Sequence, residues 1–302
     1  MTQENNQLHV GVLHSITASM LFALVPAYLQ WLPTIHGYGL VGQRIIWTTI
    51  FIGLLLMISG HLRLALKPLY KLKNWPGLLA GAALIGVQWS IFIWAPLQGE
   101  TLAVALGYFL VPLVLVVIGR LAFSDRLSPA QWLAAGLAAI GVLISLFTPA
   151  QFSWIVLVIV IGYPLYFLLR RAQPMPVVSA FFIENLLLLP LAWWAIVTFT
   201  EAKIPFDYPV DSLLWFAGLG VLGSLSVLAM MSASRKLPLA LFGLASYLEP
   251  PLIILVATLF IGEQIHPGEE LTYLFIGLAV GILALDGVIK IKNNKRRQQV
   301  FR

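Results

Sequence analysis

The sequence predicts an all-α integral membrane protein with ten transmembrane helices, arranged as two inverted five-helix repeats. Three observations lead to this prediction: the composition, a series of apolar runs of membrane-spanning length, and the positions of the basic residues. Of the 302 residues, 60% are hydrophobic and only 10% are charged. Because a soluble globular domain carries about 25% charged residues, the chain is expected to lie in a lipid bilayer.

The apolar runs are each about twenty residues long, which is enough to cross a hydrocarbon core of roughly 30 Å. They occupy nearly the whole chain and leave no room for a soluble catalytic or regulatory domain. The ten predicted spans cover residues 10–31, 38–59, 76–96, 101–122, 130–148, 151–169, 177–198, 211–231, 239–261 and 271–290.

Positive charge falls on alternate loops between these spans. If the first residues are cytoplasmic, the cytoplasmic loops and the C-terminal tail contain 16 of the 18 basic residues. Only Lys203 lies on the other side, and only Arg44 lies within a span. The positive-inside rule therefore places both termini in the cytoplasm. The basic tail, residues 291–302, is expected to set this topology or to contact anionic lipid rather than nucleic acid.

No metal site, cofactor site or catalytic residue is predicted. The chain has no cysteine, and its five histidines do not cluster at the spacing of metal ligands. The segment 37–42 matches the dinucleotide-binding glycine pattern, but it opens a membrane span and follows no strand. The glycine pairs Gly77/Gly81 and Gly277/Gly281 indicate close helix packing inside the bundle, with a dimer face as the alternative. A monomer and a homodimer both remain open.

The second half of the chain resembles the first half when Pro164 is aligned with Pro26. It then repeats the prolines, one tyrosine and one acid of the first half. Pro26, Tyr28, Pro112, Asp125 and Pro129 fall on Pro164, Tyr166, Pro250, Glu263 and Pro267. This pattern predicts two repeats, residues 10–148 and 151–290, and five spans in each make the second repeat enter the membrane inverted. Such repeats are typical of secondary transporters, whose substrate site lies between the two halves.

Four segments carry a family resemblance that extends from about residue 10 to residue 290: 25–28 (VPAY), 43–47 (QRIIW), 88–95 (QWSIFIWA) and 106–113 (LGYFLVPL). They resemble the RarD-type permeases of the EamA family, in the drug/metabolite transporter superfamily. The resemblance implies ten helices in two inverted repeats, a central cavity, and export of small metabolites across the bacterial inner membrane. Gln43 and Glu249 depart from the family pattern, which leaves the substrate open.

Three ionisable residues lie inside predicted spans: Arg44, Glu184 and Glu249. A charge in a span costs about 2.5–3.5 kcal/mol on insertion scales, so each is expected to face a cavity or a partner. Arg44 and Glu184 occupy near-symmetric positions in the two repeats. They either form an ion pair with each other, with snorkelling of Arg44 as a further alternative, or bind substrate. In the substrate hypothesis Arg44 binds a carboxylate, and Glu184 holds an amine or a proton.

Glu249 lies about ten residues from either end of the ninth span. Pro250 and Pro251 lack N–H groups, which frees the carbonyls four residues back and predicts a broken helix. Irregular backbone at this depth survives only inside protein or along a water-filled cavity. Glu249 is therefore a candidate for substrate binding and, like Glu184, for proton coupling. The alternative is a protonated Glu249 that is bonded to a carbonyl and serves packing alone.

Aromatic and amide side chains lie at intermediate depth around these charges. They combine apolar faces with polar groups, which suits a pocket for flat or amphipathic solutes, although each could equally serve packing. The candidate lining residues are Gln88, Trp89, Tyr108, Tyr163, Tyr166 and Tyr247, with Tyr28 and Trp94 at the margin.

The functional hypothesis is a secondary transporter that moves a small amphipathic metabolite or drug, in the export direction, by alternating access. Proton coupling is an additional hypothesis, and the chain offers no nucleotide-binding loop to couple transport to ATP. A lipid or lysolipid flippase is the main alternative. A membrane-embedded enzyme acting on a lipid-linked substrate, or a receptor that transports nothing, is a further alternative.

Overall fold

The computed structural model describes residues 2–98, 100–146, 153–256, 259 and 270–300. Every regular element within these residues is helical, and no strand occurs among them, which confirms the all-α class. Seven of the described helices are long and apolar enough to cross a membrane. Two shorter apolar segments, Pro129–Ile144 and Leu239–Ile253, add to them.

The described helices, numbered in chain order, follow the predicted spans closely. They are α1 (Thr2–Leu29), α2 (Gly37–Ile58), α3 (Leu62–Leu66), α4 (Trp75–Leu97), α5 (Thr101–Ala122), α6 (Pro129–Leu146), α7 (Trp154–Ala172), α8 (Val177–Phe199), α9 (Val210–Lys236), α10 (Leu239–Ser246), α11 (Glu249–Val256) and α12 (Glu270–Val300). Two short 3-10 turns, Lys67–Tyr70 and Leu72–Asn74, connect α3 to α4. The predicted boundary between the repeats, at residues 148–151, and the residues Glu263 and Pro267 lie outside the described residues.

The bundle has two ends that differ in charge. We call one of them the basic end. It contains the first residues of α1, α4, α6 and α8 and the last residues of α5, α7 and α9. There the Lys236 ammonium donates a hydrogen bond to the Gln7 side chain at 3.0 Å, and the Arg171 guanidinium lies 5.1 Å from the Phe123 ring centre. At the opposite end His36 stacks on Phe199 with ring centres 5.3 Å apart.

The main helix contacts join distant parts of the chain. The helix α1 packs on α9, α2 on both α8 and α9, α5 on α7 and α10, α6 on α12, and α4 on α7. The backbones of α5 and α10 come very close, since a Cβ atom added to Gly243 would lie 2.6 Å from the Pro112 carbonyl oxygen. The Asp125 carboxylate accepts a hydrogen bond from the Ala240 N–H at 2.9 Å, which caps the start of α10 from the end of α5.

The ninth predicted span is broken, as the two prolines predict. The helix α10 ends at Ser246 and α11 begins at Glu249. Between them the N–H groups of Tyr247 and Leu248 donate to carbonyls three residues back, each at 3.2 Å. Because Pro250 and Pro251 cannot donate to the carbonyls of Ser246 and Tyr247, the continuous α-helical ladder stops here.

Candidate functional site

Arg44 lies in the interior of the bundle, where its guanidinium stacks on an indole ring. Its Cζ atom is 4.3 Å from the Trp89 ring centre, and its side chain also contacts Gly223 on α9. Arg44 is 8% exposed, and its Nε atom has no hydrogen-bond partner. No carboxylate of the described part of the chain forms an ion pair with it. A buried cation whose Nε–H has no hydrogen-bond partner is expensive in lipid, and a binding role for Arg44 stays a prediction.

Two tyrosine hydroxyl groups lie within electrostatic range of this arginine. The Tyr108 and Tyr163 oxygens are 2.8 Å apart, and they join α5 to α7. Both side chains remain partly exposed although they lie deep in the bundle. Both hydroxyl groups lie within electrostatic range of Arg44 and of Glu249.

Glu249 begins α11, directly after the break in the ninth span. Its side chain is partly exposed rather than fully enclosed, despite its position far from both ends of that span. That water, solute or protons reach this acid stays a prediction. Together we call Arg44, Trp89, Tyr108, Tyr163 and Glu249 the central cluster.

The central cluster forms a layer at one depth in the bundle. At 1.5 Å per helical residue, its members on α2, α4, α5 and α7 lie about 10–14 Å from the opposite end. Five helices contribute one residue each, three helices from the first half of the chain and two from the second. The layer offers a cation on an aromatic face, two hydroxyl groups and one acid. An amphipathic solute with an anionic group and an aromatic or aliphatic body matches this set.

Glu184 belongs to a different site. Its Oε1 atom is 3.2 Å from Nη1 of Arg170, and both side chains are at most 1% exposed. The Tyr166 hydroxyl donates to Oε2 of Glu184 at 2.9 Å, and Arg170 also donates to the Gly77 carbonyl at 2.6 Å. Of the alternatives for Arg44 and Glu184, the ion pair between them is therefore wrong, because Glu184 pairs with Arg170 instead. We call Arg170, Glu184, Tyr166, Gln173 and Arg235 the basic-end network.

Arg170 was expected in a cytoplasmic loop, beside Arg171. The structure instead places it inside α7 and fully buried. A signal for this was present in the sequence, since Arg170 lies four residues after Tyr166 and seven after Tyr163, on one face of a helix. The adjacent Arg171 hid that signal because two consecutive arginines resemble a basic loop.

Gly77 and Gly81 make room for this network. A Cβ atom at Gly81 would overlap Oε1 of Glu184, and one at Gly77 would overlap Nε2 of Gln173. The glycines thus admit polar side chains rather than the backbone of a neighbouring helix. At Gly277 and Gly281 no atom lies within 4 Å of such a Cβ position. The prediction that these two glycines pack closely inside the bundle therefore does not hold for the described residues.

A prediction follows for Gly81. Gly81→Ala should lower the unfolding temperature of the protein clearly, because the new methyl group must displace the buried carboxylate of Glu184. Gly136→Ala is the matched control, since α6 has open space at that Cβ position. The control should be neutral, or stabilising by up to about 1 kcal/mol through helix propensity. Thermal unfolding in detergent compares the two, and equal stability would contradict the packing described above.

The other candidate residues join helices rather than line the central cluster. Gln88 donates to the Val158 carbonyl at 2.9 Å and fits against Gly162, which joins α4 to α7. Tyr247 is fully buried and donates to the Phe109 carbonyl at 2.9 Å. Tyr28 donates to the Trp215 carbonyl at 2.8 Å. A substrate role for these residues, as for Tyr166 and Glu184, stays a prediction.

An apolar groove lies apart from the central cluster, between α2, α4 and α8. Its volume is about 300 Å³, and Val41, Gly86 and Leu188 are among its lining residues. Leu191 and Trp194, which also line it, are exposed on the outer surface of the bundle. The groove therefore opens sideways, toward the lipid that surrounds a membrane protein.

The long apolar helices and the polar groups in their interior define a class of protein: a multi-pass α-helical membrane protein with an internal polar site. Comparisons with known proteins identify the family within this class. Over 291 residues the chain is 39% identical to the chloramphenicol-sensitive protein RarD of Pseudomonas aeruginosa, with 95% of this chain and 97% of the relative covered. It is 31% identical to the protein RarD of Salmonella typhimurium, with 93% and 97% covered.

The chain belongs to the RarD-type permeases of the drug/metabolite transporter superfamily, and it is a membrane transporter of that group. An uncharacterized transporter of Pseudomonas aeruginosa is 29% identical, with 92% of this chain and 94% of the relative covered. No protein-family model matches the chain. One crystal structure shares the fold with a TM-score of 0.70 and 17% identity, covering 91% of this chain and 97% of the other.

Proposed function

We propose that the protein is a secondary transporter that binds a small amphipathic solute at the central cluster and carries it across the bacterial inner membrane by alternating access. The observation that carries this proposal is Arg44, a buried arginine that stacks on Trp89 and has no carboxylate partner in the described part of the chain. The anionic group of the solute would supply the missing partner. The aromatic side chains would contact its apolar body.

The helix packing supports two inverted repeats, residues 10–148 and 151–290, and a count of ten spans. The shift that aligns Pro164 with Pro26 brings α1, α2, α4, α5 and α6 onto α7, α8, α9, α10–α11 and α12. The contacts between helices follow the same correspondence. The contact of α1 with α9 has its equivalent in that of α7 with α4, the contact of α2 with α9 in that of α8 with α4, and the contact of α5 with α7 in that of α11 with α1. A pseudo-twofold axis relates helices in this manner, as in other secondary transporters.

One hydrogen bond supports the position of this axis. Tyr247 donates to Phe109, and these two residues are separated by 138 positions, the same separation as between Pro26 and Pro164. Equivalent residues can contact each other only close to the axis that exchanges them. The α5–α10 contact would therefore lie at the centre of the molecule, beside the central cluster that the two halves share.

The basic end is assigned to the cytoplasm, with both termini there. Arg120, Arg126, Arg171 and Lys236 belong to this end, and positive charge remains on the cytoplasmic side of the membrane. In this orientation the central cluster lies closer to the periplasm. The basic tail, residues 291–302, is proposed to set this topology or to contact anionic lipid.

Glu249 is the proposed proton-coupling group. It is deep in the bundle, partly exposed, and in electrostatic contact with both tyrosines of the cluster. A carboxyl group in this position can be protonated and neutral while Arg44 holds the anionic group of the solute, and charged while no solute is bound. Glu184 is a weaker candidate for the same role, because Arg170 already neutralises it.

A ligand screen tests the proposed function. Purified protein is heated with amino acids, nucleosides, aromatic drugs and lysolipids, and a ligand that binds the folded state raises the unfolding temperature. Ligands found in this way are then supplied as labelled solutes to proteoliposomes with a pH gradient. We expect uptake that depends on the gradient in the wild type and uptake without pH dependence in Glu249→Gln. Unchanged pH dependence in Glu249→Gln would remove Glu249 from the coupling mechanism.

The lateral groove favours one alternative function, the movement of a lipid or lysolipid. An acyl chain that enters between α2 and α8 would meet apolar residues such as Val41 and Leu188, together with Ile45, which follows Arg44 in the sequence. The screen separates the two functions. A response to lysolipids alone, together with transfer of a fluorescent lysolipid between leaflets, would favour the flippase over the solute transporter.

A further inference from the structure

We infer that the basic-end network is a gate, and that α7 couples this gate to the central cluster. The inference rests on the proposed transport function, but its test needs no substrate. Alternating access requires one end of the cavity to be closed while the other is open. The network joins the ends of four helices directly below the cluster, which is the position that such a gate requires.

The network closes the basic end through buried polar contacts. From α7, Arg170 binds both the Glu184 carboxylate on α8 and the Gly77 carbonyl on α4. From α9, Arg235 donates to the carbonyls of Arg170 and of Met175, beside the end of α7. Opening this end must separate these helices, so the ion pair and several hydrogen bonds must break together.

The equivalent contact at the opposite end is much weaker. The shift that relates the repeats places Trp215 on Gly77 and Tyr166 on Tyr28. The Trp215 carbonyl accepts one hydrogen bond from Tyr28, at 2.8 Å, and this contact is exposed. At the basic end the corresponding carbonyl, that of Gly77 on α4, accepts a hydrogen bond from the Arg170 guanidinium, which also forms the buried ion pair with Glu184 on α8. Among the described residues the buried ion pair lies at the basic end, so we take the structure to represent a state closed at that end.

The helix α7 carries residues of both sites on one face. Tyr163 belongs to the central cluster, Tyr166 holds Glu184, and Arg170 forms the ion pair, at spacings of three and four residues. Pro164 lies inside this helix and cannot donate to the Val160 carbonyl, which weakens the helix between the two sites. A solute that moves Tyr163 therefore acts on the turn of helix that holds the gate closed.

Cysteine labelling tests this inference. The chain contains no cysteine, so a single reporter has no background. Ser246→Cys places the reporter at the break between α10 and α11, where the side chain is partly exposed. The rate of labelling by a membrane-impermeant maleimide is then measured separately from each side of sealed vesicles, without substrate.

We expect slow labelling from the basic side in the reporter protein. Adding Tyr166→Phe, which removes the hydrogen bond to Glu184 but keeps the ring, should raise the rate from that side at least tenfold. Tyr28→Phe is the matched control, and it should leave the rate from the basic side unchanged. If Tyr166→Phe proves too unstable, Glu184→Gln provides a second variant with the same expected direction.

An unchanged rate from the basic side, in a Tyr166→Phe protein that elutes as a single folded species, would overturn the gate. An equal increase from both sides would overturn it too, because that result indicates general loosening. Failure of the proposed transport function would appear differently, as an absence of ligand binding and flux with the labelling pattern intact.

Discussion

Replacing Arg44 with glutamine is expected to reduce solute flux by about 10- to 100-fold without lowering the stability of the folded protein. A charge-assisted hydrogen bond contributes about 1.5–3 kcal/mol, and each 1.4 kcal/mol corresponds to a factor of ten in binding. Stability should be preserved or raised, because Arg44 is buried with no ion-pair partner in the described part of the chain. Its replacement removes a charge that forms no ion pair among the described residues from a water-poor environment.

Two control variants make this result specific. Arg44→Lys keeps the charge but loses the planar group that stacks on Trp89, so it should retain only part of the flux. Arg63→Gln makes the same chemical change at an exposed residue near the start of α3, and it should transport normally. Flux is measured in proteoliposomes, and stability by thermal unfolding of the same preparations. Wild-type flux in Arg44→Gln would exclude Arg44 from the substrate site.

Replacing Arg170 with methionine should have the opposite signature, a large loss of stability. Removing one partner of a buried ion pair costs about 3–5 kcal/mol, because it leaves the other charge buried and unpaired. Here that charge is Glu184, which is fully buried. The double variant Arg170→Met/Glu184→Met should recover most of the loss, since apolar side chains of similar volume can replace a buried pair at little net cost.

Arg171→Met is the control for this prediction, because Arg171 is adjacent in the chain but only partly buried. Its loss should cost less than about 1 kcal/mol, as for other surface charges. Unfolding temperatures or denaturant midpoints of the wild type, the single variants Arg170→Met and Glu184→Met, and the double variant form a double-mutant cycle that isolates the pair. If the double variant is as unstable as the sum of the two single variants, then the ion pair is not what makes Arg170 important.

Arg44 and Arg170 have similar surroundings in the sequence but different partners in the structure. Each lies in an apolar helix beside aromatic residues, and both are almost completely buried. Arg44 has no anionic partner among the described residues, whereas Arg170 neutralises Glu184. An arginine without a partner is a candidate for binding a solute, whereas a neutralised one is a structural group or part of a gate.

The sequence alone was sufficient to predict the helices and the break in the ninth span, because both depend on local properties: hydrophobicity and the chemistry of proline. Runs of apolar residues predicted the helices, because each helix satisfies its own backbone hydrogen bonds in lipid. Pro250 and Pro251 predicted the break before α11 because they lack the N–H groups that the helical ladder needs.

Only the tertiary structure decided which polar side chains meet. The partner of Glu184 is Arg170, on the preceding helix α7, whereas the symmetry of the repeats had suggested Arg44 on α2. The choice depends on which faces of α4, α7 and α8 point toward one another, and on the space that Gly77 and Gly81 leave. Such contacts are set by packing between helices that are distant in the chain, and a pattern along a single helix does not contain that information.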